Sequence, residues 1–200
     1  MRAPRLDELP WLLLAWSADR SIVEGCDVRV AAASDEEFAD VLSKVTDALR
    51  LIAERGSRFH TRIVRDVRRF VFADVSGGRY IAGLQTCLIG VAYARRVPSI
   101  ELAMTMVHES THARLSKAGF RYVGECRERI ERVCVAQEIA FAQRVPGSAS
   151  AIDGVRGLLE TKWWRPEERL EADISELKTR GIPKWLTEVL RWWRRKVGSQ

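Results

Sequence analysis

The sequence predicts an α+β fold in which a small mixed sheet accompanies one long N-terminal helix and a run of later helices. Three observations carry that reading. Residues 28–32, 70–75 and 80–90 are short runs rich in β-branched and aromatic side chains, as strands require. Between the first two, Phe38, Val41, Leu42, Val45, Leu49 and Ile52 keep a helical period. From residue 98 onward the pattern is helical.

Taken in order, residues 9–18 (LPWLLLAWSA) form the first apolar run. It is about half the roughly 20 residues a membrane-crossing helix needs. Asp7 and Glu8 stand where a signal peptide carries positive charge, so a buried N-terminal segment is expected. After the strand at 28–32, Ser34 is an N-cap with Asp35, Glu36 and Glu37 in the first turn, and Gly56 ends the helix. The arginine-rich stretch SRFHTRIVRDVRR, next in the chain, suits either helix or strand. Residues 70–75 read as a strand, Gly77-Gly78 as a turn, and 80–90 as one or two more strands. Pro98-Ser99 starts a helix with Glu101 favourably placed in its first turn, and Lys117 and Gly119 stop it. A second helix runs over about 125–144 to Pro146-Gly147. From Ser150 the chain reads as two or three helices, broken at Arg165-Pro166 and again at 181–183.

At 200 residues and 46% hydrophobic content the chain can bury a proper core, which excludes intrinsic disorder. Cys26, Cys87, Cys126 and Cys134 form no CxxC pair, so zinc-finger spacing is absent. Free thiols in a reducing compartment, the cytoplasm, are expected. The formal net charge of +6 arises from 33 basic and 27 acidic residues with both signs interleaved, and decides little about partners. What matters is where the basic residues cluster, and that is at the extreme C-terminus.

Chemistry concentrates at His108-Glu109-Ser110-Thr111-His112, an HExxH inside the helix that begins at residue 99. Residues four apart lie one turn apart on a helix face, so both imidazoles can reach one cation about 2 Å from each nitrogen. Glu109 is rotated by about 100° from His108, beside the metal without binding it, where a general base belongs. Two of the chain's three histidines are spent on this motif. A catalytic zinc site wants three protein ligands and one open position. Leu115 and Ala118 occupy the glycine and histidine positions of the extended HExxHxxGxxH pattern, and His60 is the one histidine left. The third ligand is therefore a carboxylate or a cysteine.

The next helix offers Glu125, Glu128, Glu131 and Glu138, of which the last three share a face, with Ile130, Cys134, Phe141 and Val145 as the docking stripe. Glu131, 19 positions after His112, would come alongside the motif on an antiparallel return. Glu128 or Glu138 would need the return helix slid by one or two turns.

The segments HESTHARL and RIERVCVAQEIAFAQRVPG, within residues 99–146, resemble the zincin superfamily of zinc metallopeptidases, in the gluzincin branch where a downstream helix supplies a glutamate. The resemblance implies a compact zincin-like domain in which zinc is bound by His108 and His112, with Glu131 matching the third ligand. It implies that Glu109 activates the water that attacks a peptide carbonyl, and that an edge strand within 80–90 holds an extended peptide or protein substrate by strand addition. Four residues beyond Glu131 stands Val135, where several gluzincins carry an aspartate that orients a histidine, so no residue is assigned to that task. His60, Tyr80, Tyr93 and Tyr122 are all candidates to stabilise an oxyanion. Peptide deformylases also use HExxH, with an upstream strand cysteine. Cys87 in QTCLIG invites that comparison, but Thr111 stands where their motif has an aspartate, and a buried strand cysteine is the plainer reading.

Residues 1–147 are thus expected to form the catalytic domain and 148–200 a helical, tryptophan-rich basic extension on or beside it. Trp163, Trp164, Trp185, Trp192 and Trp193 lie in that extension. Over 183–197, Leu186, Val189, Leu190, Trp193 and Val197 share one helical face and Lys184, Arg191, Arg194 and Arg195 the other. Packing of the apolar face on the domain is the simplest reading. An anionic membrane surface or a protein groove also suits such a helix, and nucleic acid is the least favoured partner. The alternative to an enzyme is a catalytically inactive zincin homologue acting as a binding or regulatory module through this helix.

Overall fold

A computed structural model describes residues 17–124 and 126–161; the expected N-terminal segment, Glu125 and the tryptophan-rich helices lie outside the described residues. The chain divides into two compact units, Met1–Gly157 and Leu158–Gln200, and the sheet with the helices packed on it belongs to the first.

The class is α+β. A five-stranded mixed sheet has the order β1-β2-β3-β5-β4. Strands β1 (Asp19–Val23) and β2 (Cys26–Val30) form an antiparallel hairpin. Its two turn residues, Glu24 and Gly25, have φ of 48° and 77°, the left-handed pair that a tight hairpin matched to strand twist requires. β1 is a strand that the sequence pattern does not predict.

The long helix α1 (Asp35–Arg55) starts as expected. Ser34 Oγ accepts the Glu37 N–H at 3.2 Å, and Glu37 Oε2 accepts the Ala33 N–H at 2.7 Å, so two otherwise unpaired donors at the helix start are satisfied. Its apolar stripe of Val41, Val45, Leu49 and Ile52 is fully buried. At Gly56 the chain turns directly into α2 (Ser57–Asp66), so the arginine-rich stretch is helix as far as Asp66 and its last residue, Arg69, belongs to the next strand. A β-carbon at Gly56 would lie 2.9 Å from Phe59 and 3.0 Å from Phe141, so glycine is what lets this corner close.

The two helices form the crossover from β2 to the parallel strand β3 (Arg69–Ala73), so a long helical excursion interrupts the sheet instead of preceding it. β3 is buried along its whole length. Phe70 and Phe72 enter the main core and Val71 and Ala73 a second cluster, as a continuous apolar run facing both ways demands. β4 (Gly78–Ile81) is an edge strand antiparallel to β5 (Thr86–Gly90), which lies parallel to β3. A short helix α3 (Val91–Arg96), also unpredicted, leads to α4 (Ser99–Lys117), α5 (Cys126–Ala142) and α6 (Ala149–Thr161).

α4 is the central helix, packing against α1, α2, α5, β4 and β5. Every residue from Leu102 to Thr111 except Thr105 is buried, which is why its sequence lacks a simple apolar stripe. Two of the polar residues inside are satisfied locally: the Ser110 and Thr111 hydroxyls each donate to Val107 O at 2.8 Å. Among the described residues no helix is long and apolar enough to cross a membrane.

Candidate metal centre

The middle of α4 carries His108, Glu109 and His112, and α5 returns alongside it bearing Glu131, Cys134 and Glu138 on its buried face. The expected antiparallel return therefore brings Glu131 to the motif. His108 Nε2 lies 3.2 Å from Glu131 Oε2, His112 Nε2 3.5 Å from Glu131 Oε1, and the two Nε2 atoms 3.2 Å from each other. Ligands about 2.0–2.1 Å from a tetrahedral zinc ion are separated by about 3.3 Å, and these contacts, those to Glu131 made through its two different oxygens, are close to that spacing. Glu131 is only 1% exposed, with Oε2 facing His108 Nε2.

The other glutamates fall elsewhere. Glu128 pairs with Arg132 at 2.8 Å on the outer side of α5. Glu138, two turns beyond Glu131, reaches the opposite nitrogen of the imidazole, its Oε2 3.1 Å from His108 Nδ1. With a metal bound, a proton on Nδ1 shared with Glu138 would leave the Nε2 lone pair to the ion, and a carboxylate in this position fixes both tautomer and ring orientation. Sequence reasoning assigns no residue to that task. The signal is present in the shared helix face of Glu131 and Glu138, which sequence alone presents as a choice between alternative ligands.

Cys134 completes the surroundings. The ligating atoms of His108, His112 and Cys134 all lie within 4.8 Å of one another, so this trio also could hold a metal ion. Expected from sequence to be part of the apolar docking stripe, Cys134 is wholly buried at the cluster.

Electrostatics tie these groups together. Burial disfavours the imidazolium of His108, but the hydrogen bonds it donates to Glu131 and Glu138 outweigh it and raise its pKa well above the ordinary value. Burial likewise opposes ionisation of Glu131, yet His108 and His112 hold its carboxyl well below the usual carboxylate range. The Cys134 thiol moves the other way. Burial, and after it the charges of Glu131, Glu109 and Glu138, push it far above a normal cysteine.

Glu109 is buried on the side of α4 that faces the edge strand. A β-carbon at Gly78 would lie 2.9 Å from Glu109 Oε1 and 3.2 Å from Thr105 Cγ2, so a side chain there would displace the end of Glu109. The sequence shows Gly78 merely as part of a turn.

Of the four oxyanion candidates, Tyr122 is the one found at the cluster. Its hydroxyl donates to Glu131 Oε1, and its ring meets His112 edge-on at 5.4 Å. Tyr93 pairs with Thr105 at 2.7 Å, Tyr80 lies within hydrogen-bonding reach of Ser116, and His60 Nε2 sits 2.8 Å from Glu24 O at the β1–β2 turn. Cys87 is buried in β5, its thiol pushed up by burial and then by the charge of Glu109, and it is outside the His108–His112–Cys134 group.

No family model, curated protein or solved structure matches the chain.

Proposed function

We propose that the chain is a zinc-dependent, metallopeptidase-like hydrolase in which His108, His112 and Glu131 hold the metal and Glu109 is the general base. The observation that carries this reading is the triangle of two Nε2 atoms and one carboxylate with edges of 3.2, 3.2 and 3.5 Å. Zinc bound there supplies Lewis acidity to a water molecule and to a substrate carbonyl.

The remaining work falls to the chain itself. Glu138 holds His108 in the tautomer that presents Nε2. Tyr122 keeps Glu131 turned toward the histidines through its hydroxyl. Glu109 accepts the proton of the attacking water and returns it to the leaving amine, the usual task of a carboxylate so placed. β4, as the edge strand, offers backbone groups to an extended peptide, and Gly78 lets that peptide run close to Glu109.

Glu131 is preferred to Cys134 as third ligand on geometry, because its carboxylate oxygens lie 3.2 and 3.5 Å from the Nε2 atoms of His108 and His112. A second reading rests on Cys134 being within reach of both histidines. As a fourth ligand it would close the site and give a non-catalytic metal-binding module. Cobalt substitution separates the two. Without an intense near-ultraviolet thiolate band the site is open; a band that disappears in Cys134→Ser makes it closed.

The test of function uses a mixed peptide library. Zinc-loaded protein is expected to cleave it, and Glu109→Gln to keep the metal and lose at least about a hundredfold in rate, a general base being worth that much. Equal cleavage by Glu109→Gln would overturn the assignment.

A further inference from the structure

Apart from the metal ligands, α2 carries more positive charge than its ion pairs neutralise. Arg58, Arg62 and Arg65 recur at i, i+4 and i+7 and share one helix face. The guanidinium carbons of Arg58, Arg144 and Arg62 lie 4.7, 5.7 and 6.0 Å from the centroid of one ring, Phe59. Arg114, in the last turn of α4, joins them. Partial burial, and then Arg114, Arg58 and Arg65, push the pKa of Arg62 below its ordinary value. Among the described residues Arg58, Arg62, Arg114 and Arg144 form no ion pair. Arg62 donates to Gln137 Oε1 at 3.1 Å, and nearby Asp66 is already engaged by Arg65 and Lys117.

Helix stability favours a different arrangement. A cation in the first turn opposes the macrodipole, yet α2 has Arg58 there, with no acidic residue in that turn and no side-chain cap. Arg114 lies at a helix C-terminus, where the dipole welcomes it, and Arg144 just past one; Arg58 and Arg62 have no such reason.

We propose that this face binds the sugar-phosphate backbone of a nucleic-acid duplex without regard to base sequence. Duplex DNA carries one negative charge per about 1.7 Å of axis. Even an extended peptide made wholly of acidic residues reaches only about one per 3.3 Å. Clustered guanidiniums whose nearby carboxylate, Asp66, is already engaged suit the denser charge, and their planar forks match phosphate oxygens. Phe59 is only 3% exposed, so it offers no platform for unpaired bases, which favours a duplex over a single strand.

The test is fluorescence anisotropy of the full chain with a short labelled DNA duplex, an RNA duplex of the same sequence, oligo-dT and a poly-glutamate peptide. Binding to either duplex is expected, the stronger arm identifying the source. Four counterion-releasing contacts at a log–log slope of about −0.9 each predict roughly a hundredfold loss of affinity between about 50 and 200 mM salt. The double variant Arg58→Glu/Arg62→Glu should bind at least about tenfold more weakly with a slope shallower by about 2. Its melting temperature should hold or rise, because Arg58→Glu puts an acid in the first turn. A folding defect would move both readouts together. Arg194→Glu/Arg195→Glu in the tail should retain most of the binding, and zinc removal should leave it unchanged. The proposal is overturned if the α2 variant binds like the unmutated chain, if the tail variant alone abolishes binding, if oligo-dT or poly-glutamate binds more tightly than both duplexes, or if neither duplex binds at about 50 mM salt.

Discussion

Glu138 and Gly78 are the two residues through which single atoms matter most around the proposed base and ligands. Glu138 touches His108 on the nitrogen that faces away from Glu131, so Glu138→Gln should leave one zinc bound at saturation. It should weaken affinity by about 10- to 100-fold, the usual effect of losing a carboxylate behind a ligating histidine. Competition with a chromophoric chelator measures this, and unchanged affinity would leave Glu138 with a packing role alone. At Gly78 an added methyl meets the far end of the Glu109 side chain. That end can move, so Gly78→Ala should melt within a few degrees of the unmutated chain and keep its zinc while losing hydrolysis. Full activity in this variant would mean that the position of Glu109 beside β4 is immaterial.

At the scale of elements, what positions the cluster is the clamping of α4 between α2 and α5. One end of the clamp is Gly56, where Phe59 of α2 meets Phe141 of α5 edge to face at 5.7 Å. Gly56→Ala forces a methyl into both rings and should cost about 1–3 kcal/mol in chemical denaturation, the range for overpacking a core. The other end is Asp66, which accepts two hydrogen bonds from Arg65 at 2.9 and 2.7 Å, while Lys117 of α4 donates to Arg65 O at 2.8 Å. The bonds from Arg65 lower the pKa of Asp66 below its ordinary 3.8. A depressed carboxyl pKa adds stability above the unfolded value, lost as pH falls through the lower folded value. Asp66→Asn should therefore lower the melting temperature at neutral pH and flatten its decline below about pH 4. These long helices are the legible part of the sequence, because Ser34, Gly56 and Lys117-Ala118-Gly119 punctuate strong periodic runs. The hairpin strand β1 is not. Its turn residues Glu24 and Gly25 sit between runs of only five residues, and DRSIV does not alternate as the partner strand CDVRV does. α2 is ambiguous in sequence because Phe59, Ile63 and the arginines fit either period, and only the packing of Phe59 against Phe141 decides between them.

For the molecule as a whole, the motif is legible because histidine is scarce, while its supporting residues are not. Glu138 lies 30 positions from His108 and the Arg58–Arg144 patch joins residues from separate helices far apart in sequence, so both depend on how the helices pack. The sequence points to the tail as the seat of basic charge; α2 holds a second concentration that becomes visible only once the stretch is helical. The cluster also carries a global cost, since Glu109, Glu131 and Glu138 are all buried beside one another's histidine partners. Zinc should offset that cost. At a thousandfold excess over its dissociation constant it should add about 4 kcal/mol, seen as a melting temperature that falls on chelation and recovers when zinc is restored. No difference between the metal-free and zinc-loaded protein would contradict a zinc site linked to folding. The central claim is narrower, that His108, His112 and Glu131 together hold the metal, and its most direct test is zinc content after loading and exhaustive dialysis. Close to one zinc per chain is predicted for the unmutated protein and for Cys134→Ala, and little or none for Glu131→Ala. Zinc retained by Glu131→Ala but lost from Cys134→Ala would contradict it.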